Sequence, residues 1–324
     1  MAGRHIKALI AAYHDRDDLA FRRATQGIIE EEEAKRHTAL AQDLRRLLAA
    51  GAHSAFAVEP MMLPESPRDR DSNVPIADVA PPPTTGLRSL LLNEQTDRTL
   101  SQVIAEVPMW QQLDAAGLPR RNRLLLYGPP GCGKTSIASA VAGELGWPLT
   151  TARVDSLVSS YLGETASNLR NLFDFAQQHA HVVFLDEFDS LGKLRNDPSD
   201  HGELRRVVNA VLQLIDSYQG RSIVIAATNN PEILDSALWR RFDEVLEVPA
   251  PTVAQIAALL HRQLSAVNTI EIERFASRLA GLSFAAVRHA ADGARRRALL
   301  DGRREATIGD LDEAVRDTVS RPWA

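Results

Sequence analysis

Apolar positions along this chain follow two periods, and the places where the period changes divide it into four parts. Over residues 4–50 they return at helical spacing, as Ile6, Leu9, Ile10 and Tyr13 and then Leu40, Leu44, Leu47 and Leu48. This predicts a small two- or three-helix bundle over residues 1–52, ended by Gly51, with Glu30 to Glu33 as either a solvated face or a binding surface. From 53 to 86 the periodicity stops. Pro64, Pro67, Pro75 and the run Pro81, Pro82 and Pro83 interrupt regular elements and predict a linker. Its Met61, Met62 and Leu63 are read as exposed linker residues or as a docking point. From 87 to 250 short apolar runs ("RLLLYG", "VVFLDE", "SIVIAATN", "EVLEV") alternate with helical stretches. That alternation predicts an α/β fold, a parallel sheet with helices on both faces and ligands beyond the carboxyl ends of its strands. After "PAPT", residues 251–324 carry helical periods and no strand signal, which predicts a small all-helical domain.

Charge and composition narrow the classes. Lys and Arg number 37 against 42 Asp and Glu, a net charge of -5, so no global basic field marks a nucleic-acid coat. A single cysteine, Cys132, excludes an intramolecular disulfide. No apolar run approaches the roughly 20 residues of a membrane-spanning helix. The start of the chain has no leader pattern, and the expected location is cytoplasmic, without membrane insertion.

The chemistry is concentrated in three stretches. "YGPPGCGKTS" carries a complete P-loop pattern between a strand-like run and a helix-like one. Gly128, Pro129, Pro130, Gly131, Cys132, Gly133, Lys134, Thr135 and Ser136 are therefore the expected ATP-binding residues. Glycines let backbone N–H groups face phosphate oxygens, Lys134 reaches the β- and γ-phosphates, and the Thr135 hydroxyl takes Mg2+. Cys132 is either a small residue at a variable loop position or a redox-sensitive thiol. "HVVFLDEFDS" ends an apolar strand in paired acids, with Asp186 expected to hold the metal and Glu187 to act on the attacking water. Asp189 has no assigned role. In "SIVIAATNN", Asn229 stands where an amide senses the γ-phosphate, and Asn230, before Pro231, is read as a turn residue.

Together these motifs make residues 87–320 resemble an AAA+ ATPase of the clade of katanin, spastin, the FtsH-type motors and SpoVK-like proteins. The resemblance implies a P-loop NTPase fold, a Rossmann-like sheet with a helical lid, here behind a small all-α N-terminal domain. It implies Mg2+-dependent ATP hydrolysis at the junctions of an ATP-promoted homo-oligomeric ring, usually a hexamer. "ALWRRFDEVLEV" is similar to the arginine-finger segment, which implies that Arg240 and Arg241 reach a neighbour's γ-phosphate. "SSYLGETASNLRNLFDFA" is similar to the central pore loop, so Tyr161 and Leu162 would grip a threaded polypeptide at a bend supplied by Gly163; the alternative for Tyr161 is local packing. "HGELRRVVNAVLQLID" resembles the segment in which Glu203, Arg205 and Arg206 lie near the subunit junction, with His201 weakly indicated as pore-facing. Two departures stand out: Ser217 replaces the usual glycine after Asp216, and Arg288 lies later on its lid helix than an assignable sensor arginine. The implied function is a motor that remodels, unfolds or threads a protein, with the N-terminal helices of residues 1–52 recruiting the target or partner, acting alone or for a separate partner such as a protease. The alternative is a nucleic-acid-dependent ATPase using Arg295, Arg296, Arg297, Arg303 and Arg304.

Overall fold

The computed structural model describes residues 24–25, 27–29, 31, 63–69, 73–153, 162–190, 203–233, 236–264 and 267–321. It divides the chain into two units, 1–63 and 64–324. In the first unit the six described positions before residue 32 are helical, with Ala24 and Ile29 buried. The other positions of the expected bundle, with Met61 and Met62, lie outside the described residues, as do Tyr161 and His201.

The second unit is built on a six-stranded sheet. Its strands are β1 (Asp78–Ala80), β2 (Arg123–Tyr127), β3 (Leu149–Arg153), β4 (Val182–Asp186), β5 (Ile223–Thr228) and β6 (Glu244–Glu247), in the order β1-β3-β4-β5-β2-β6. Strands β2 to β6 are mutually parallel, and β1 joins β3 antiparallel at the edge. The central strands read as unbroken apolar runs because both faces are covered. Leu124 and Leu126, Val182 and Phe184, and Ile223, Ile225 and Ala227 face one core, closed by α1 (Glu94–Glu106) and by α3 (Lys134–Leu145); the short α2 (Trp110–Ala115) adds Trp110. Leu125, Val183, Leu185, Val224 and Ala226 face the other, closed by α4 (Leu162–Gln178) and α5 (Glu203–Ser217).

The Pro-rich segment differs from its expectation as a free linker. Its residues 78–80 form β1, and residues 83–85 run so close to α3 that a Cβ on Gly143 would strike the Thr85 carbonyl. Proline breaks helices, but it is tolerated beside a short edge strand, and this segment lies at that edge.

After the one-turn α6 (Ser236–Trp239) and β6, four helices form a third core: α7 (Val253–Gln263), α8 (Thr269–Arg278), α9 (Phe284–Leu300) and α10 (Ile308–Val319). Each begins at a side-chain cap, supplied by Thr252, Asn268, Ser283 and Thr307. Among the described residues, no helix is long and apolar enough to cross a membrane.

Candidate nucleotide site

The parallel strands end on one side of the sheet, and β2 lies between two strands that both follow it in sequence. A crevice is expected at such a switch point, and the P-loop leaves β2 there. Gly128 has φ 145°, and a Cβ there would collide with the carbonyl of Val248, so a glycine is needed for β2 to turn beside β6. Helix α3 then starts at Gly133 with no side-chain cap, unlike the four lid helices, and its first N–H groups stay available.

A cavity of about 530 Å³ opens at this point. Pro130, Gly131, Gly133, Lys134, Thr135 and Ser136 line it from the P-loop, Asp186 and Glu187 from β4, and Asn229 from β5. The Lys134 ammonium donates to the carbonyls of Gly128 (2.7 Å) and Pro129 (2.9 Å), and burial holds its pKa below the ordinary lysine value. The Asp186 carboxylate accepts from the Glu187 N–H at 2.9 Å. Glu187 has φ 54°; among the described residues only it and Asn73 combine a side chain with a left-handed backbone. Such a conformation costs on the order of 1 kcal/mol and persists where neighbours impose it.

Cys132 turns away from this cavity. Its thiol is 3% exposed and lines a separate small space with Leu91, Leu92, Ile137 and Phe284. Burial pushes the thiol pKa up, which disfavours the thiolate needed for redox chemistry and supports the bland reading of this position.

The lid contributes a wall that sequence reasoning left unassigned. Phe284, Ala285, Arg288, His289 and Asp292 of α9 line the cavity. The Ala285 N–H donates to the Gly131 carbonyl at 3.0 Å, and a Cβ on Gly131 would lie 2.8 Å from the Ser283 hydroxyl. Positions 285, 288, 289 and 292 make one helical stripe. The available signal was polar residues recurring at that spacing in an alanine-rich helix.

Arg240 and Arg241 are not brought to the cavity of their own chain. Arg240 is exposed, and Arg241 pairs with Asp216 at the end of α5. Their segment is firmly anchored: Trp239 packs edge-on against Tyr127 (5.1 Å), Phe242 against Phe188 (5.7 Å), and Asp243 accepts from the backbone and side chain of Arg123. Leu162 and Gly163 open α4, so the backbone at Gly163 is helical where a bend was expected. Glu203, Arg205 and Arg206 lie in the first turn of α5.

Residues 124–250 match the family described as ATPase family associated with various cellular activities (AAA). "Uncharacterized AAA family ATPase y4kL" of Sinorhizobium fredii is 36% identical over 320 residues, 98% of this chain and 96% of that protein. The similarity thus takes in the N-terminal segment, which the motor-clade motifs did not reach. "ATP-dependent zinc metalloprotease FtsH 3" of Sphaerobacter thermophilus is 39% identical over 215 residues, 64% of this chain but only 44% of its own length. The crystal structure of the FIGL-1 AAA domain superposes with a TM-score of 0.61 at 26% identity, over 76% of this chain and 87% of that one. The chain belongs to the AAA family of ATPases.

Proposed function

We propose that this protein is an ATP-hydrolysing ring motor that pulls on a protein chain. One observation carries the proposal: Lys134, Thr135, Asp186, Glu187 and Asn229 share one cavity, while Arg240 stands exposed on a braced segment outside it. That division suits a site completed by a second copy. A repeated heterologous contact of this kind closes into a ring, six subunits being the number implied by the family resemblance.

In this account, bound triphosphate draws the Lys134 ammonium from the P-loop carbonyls to the β- and γ-phosphates. The Thr135 hydroxyl and Asp186 carboxylate are hard oxygen donors on the same wall and suit Mg2+, which would neutralise developing phosphate charge. Glu187 accepts a proton from the attacking water, Asn229 orients that water against the γ-phosphate, and Arg288 lies on the opposite wall as a further cation. The neighbour's Arg240 stabilises charge on the transferred group. Tyr161 and Leu162, at the entry to α4, convert the cycle into traction on a polypeptide, a reading supported by similarity to a protein named as an ATP-dependent protease.

The nucleic-acid reading loses part of its support in the lid, where three of its five arginines are engaged by neighbouring carboxylates. Arg295 pairs with Asp292, Arg297 with Glu313 and Asp317, and Arg303 with Asp301 and Asp310. Phosphate release measured with a permanently unfolded protein, and separately with DNA or RNA, tests the proposal. Stimulation by the unfolded protein that disappears in Tyr161→Ala, with basal hydrolysis retained, is the expected result; stimulation by nucleic acid alone would overturn it.

A further inference from the structure

The ladder between β4 and β5 stops at Leu185 and Ala226, one residue before Asp186 and three before Asn229. Beyond it, the two chain ends that carry Glu187 and Asn229 are joined by a different set of bonds. The Phe188 N–H donates to the Ala227 carbonyl at 2.9 Å. Asp189, only 3% exposed, accepts from the Asn230 side-chain amide at 2.7 Å and from the Thr228 hydroxyl at 3.4 Å. The Asn230 N–H in turn donates to the Thr228 hydroxyl oxygen at 3.0 Å.

Every residue in this lacing lies within two positions of Glu187 or Asn229, with Ala227 two before Asn229. Phe188 and Asp189 follow Glu187, and Thr228 and Asn230 stand on either side of Asn229. A carboxylate out of water is unfavourable unless donors surround it, and an apolar side chain would serve packing better at this position. The charge gives direction, drawing two donors from one turn to a fixed point on the other, besides its longer-range attraction for the Lys134 ammonium. The left-handed Glu187 is the feature that requires such a restraint, because an unrestrained residue there would relax to negative φ.

We infer that Asp189 and Asn230 are positioning residues, a clamp that fixes the spacing between the water-activating Glu187 and the phosphate-facing Asn229. The clamp touches neither nucleotide nor metal. It acts through the two turns, so its loss lowers the rate of the bound complex rather than binding itself. The inference rests on the ATPase reading of the same site.

The test uses the full chain with wild type, Asn230→Ala, Asn230→Asp and the swap Asp189→Asn with Asn230→Asp. Steady-state hydrolysis gives kcat and KM, and titration with a fluorescent ATP analogue gives Kd. Asn230 is itself exposed, but its amide is a close donor to the buried Asp189, so the melting temperature of each variant is measured alongside and kcat is compared well below it. Asn230→Ala should lower kcat roughly 10- to 100-fold while KM and Kd stay within about threefold, as expected for slightly misplaced catalytic groups. Asn230→Asp, which sets two carboxylates face to face, should lose more. The swap restores one donor and one acceptor and should recover to within about threefold of wild type. Wild-type turnover in both Asn230 variants, losses that appear in Kd instead, or a swap no better than Asn230→Asp would overturn the clamp. Absence of hydrolysis in wild type itself would sink the ATPase reading instead.

Discussion

The two ends of the parallel sheet are built on opposite principles. At the amino ends the polar groups are paired with one another. The His181 ring Nδ1 bonds the Thr150 hydroxyl at 2.7 Å and the His181 backbone N–H donates to the Ser222 hydroxyl oxygen at 3.1 Å; the Ser222 hydroxyl donates to the His179 carbonyl at 2.6 Å. The Tyr218 hydroxyl lies 3.0 Å from the carbonyls of Ala176 and Ser222 and accepts from the Ser222 N–H, while Asn122 reaches the Gly220 carbonyl. At the carboxyl ends only Glu187 is held in a costly backbone shape, Gly128 and Gly131 make the turns that glycine alone allows, and the helix start is uncapped; a cavity opens at either end, about 530 Å³ here and about 460 Å³ beside Asn122 and Tyr218. One end spends its polar groups on its own stability. The other turns Thr135, Glu187 and Asn229 toward a cavity, with Asp189, Thr228 and Asn230 paired behind them.

Substitutions at the two ends should therefore separate activity from stability. The largest effect belongs to Arg240→Ala, which should cut turnover by about 10³-fold or more without loss of ATP binding. Arg241→Ala should cost less, because Asp216 already occupies that guanidinium; equal losses, measured by phosphate release, would show that both arginines act alike. Next, Glu187→Gln should lower kcat by roughly 10²-fold or more with Kd nearly unchanged. Its melting temperature should not fall, since the amide keeps the shape of the acid.

At the amino end the expected effects move to folding. Burial, with a smaller contribution from His179, holds the His181 imidazole down to about 4 from 6.5. The folded state then refuses a proton that the unfolded chain accepts. Stability is full above about pH 6.5 and declines as pH falls toward 4, by about 2 kcal/mol at pH 5. Denaturant melts at pH 8 and pH 5 measure this, and His181→Gln should flatten the difference. Smallest is Tyr218→Phe, which leaves the buried Ser222 N–H without its acceptor and should cost about 1–2 kcal/mol while nucleotide affinity stays unchanged.

What could be read from the sequence followed the range of the interactions. The P-loop, the acids after β4 and Asn229 converge because each sits at a strand end, and parallel strands bring their ends together whatever the connections. Strand β1 could not be read among prolines, since three residues carry no period and its only cue is a partner in β3. The pairing of Arg241 with Asp216, the docking of Ala285 on Gly131 and the bond from Asn230 to Asp189 join residues distant in sequence. The sequence reading made Arg241 an arginine finger, Gly131 a phosphate-loop glycine and Asn230 a turn residue, gave Asp189 no role, and contained no information about their partners.

The central claim is a site shared between copies, and mixing two disabled variants tests it most directly. Glu187→Gln retains a working Arg240, and Arg240→Ala retains a working Glu187. Combined in equal amounts before assembly and given ATP, they should regain up to about a quarter of wild-type phosphate release, because about one junction in four pairs the intact halves. A mixture no more active than the average of its two components would contradict the account and return the whole of catalysis to a single chain.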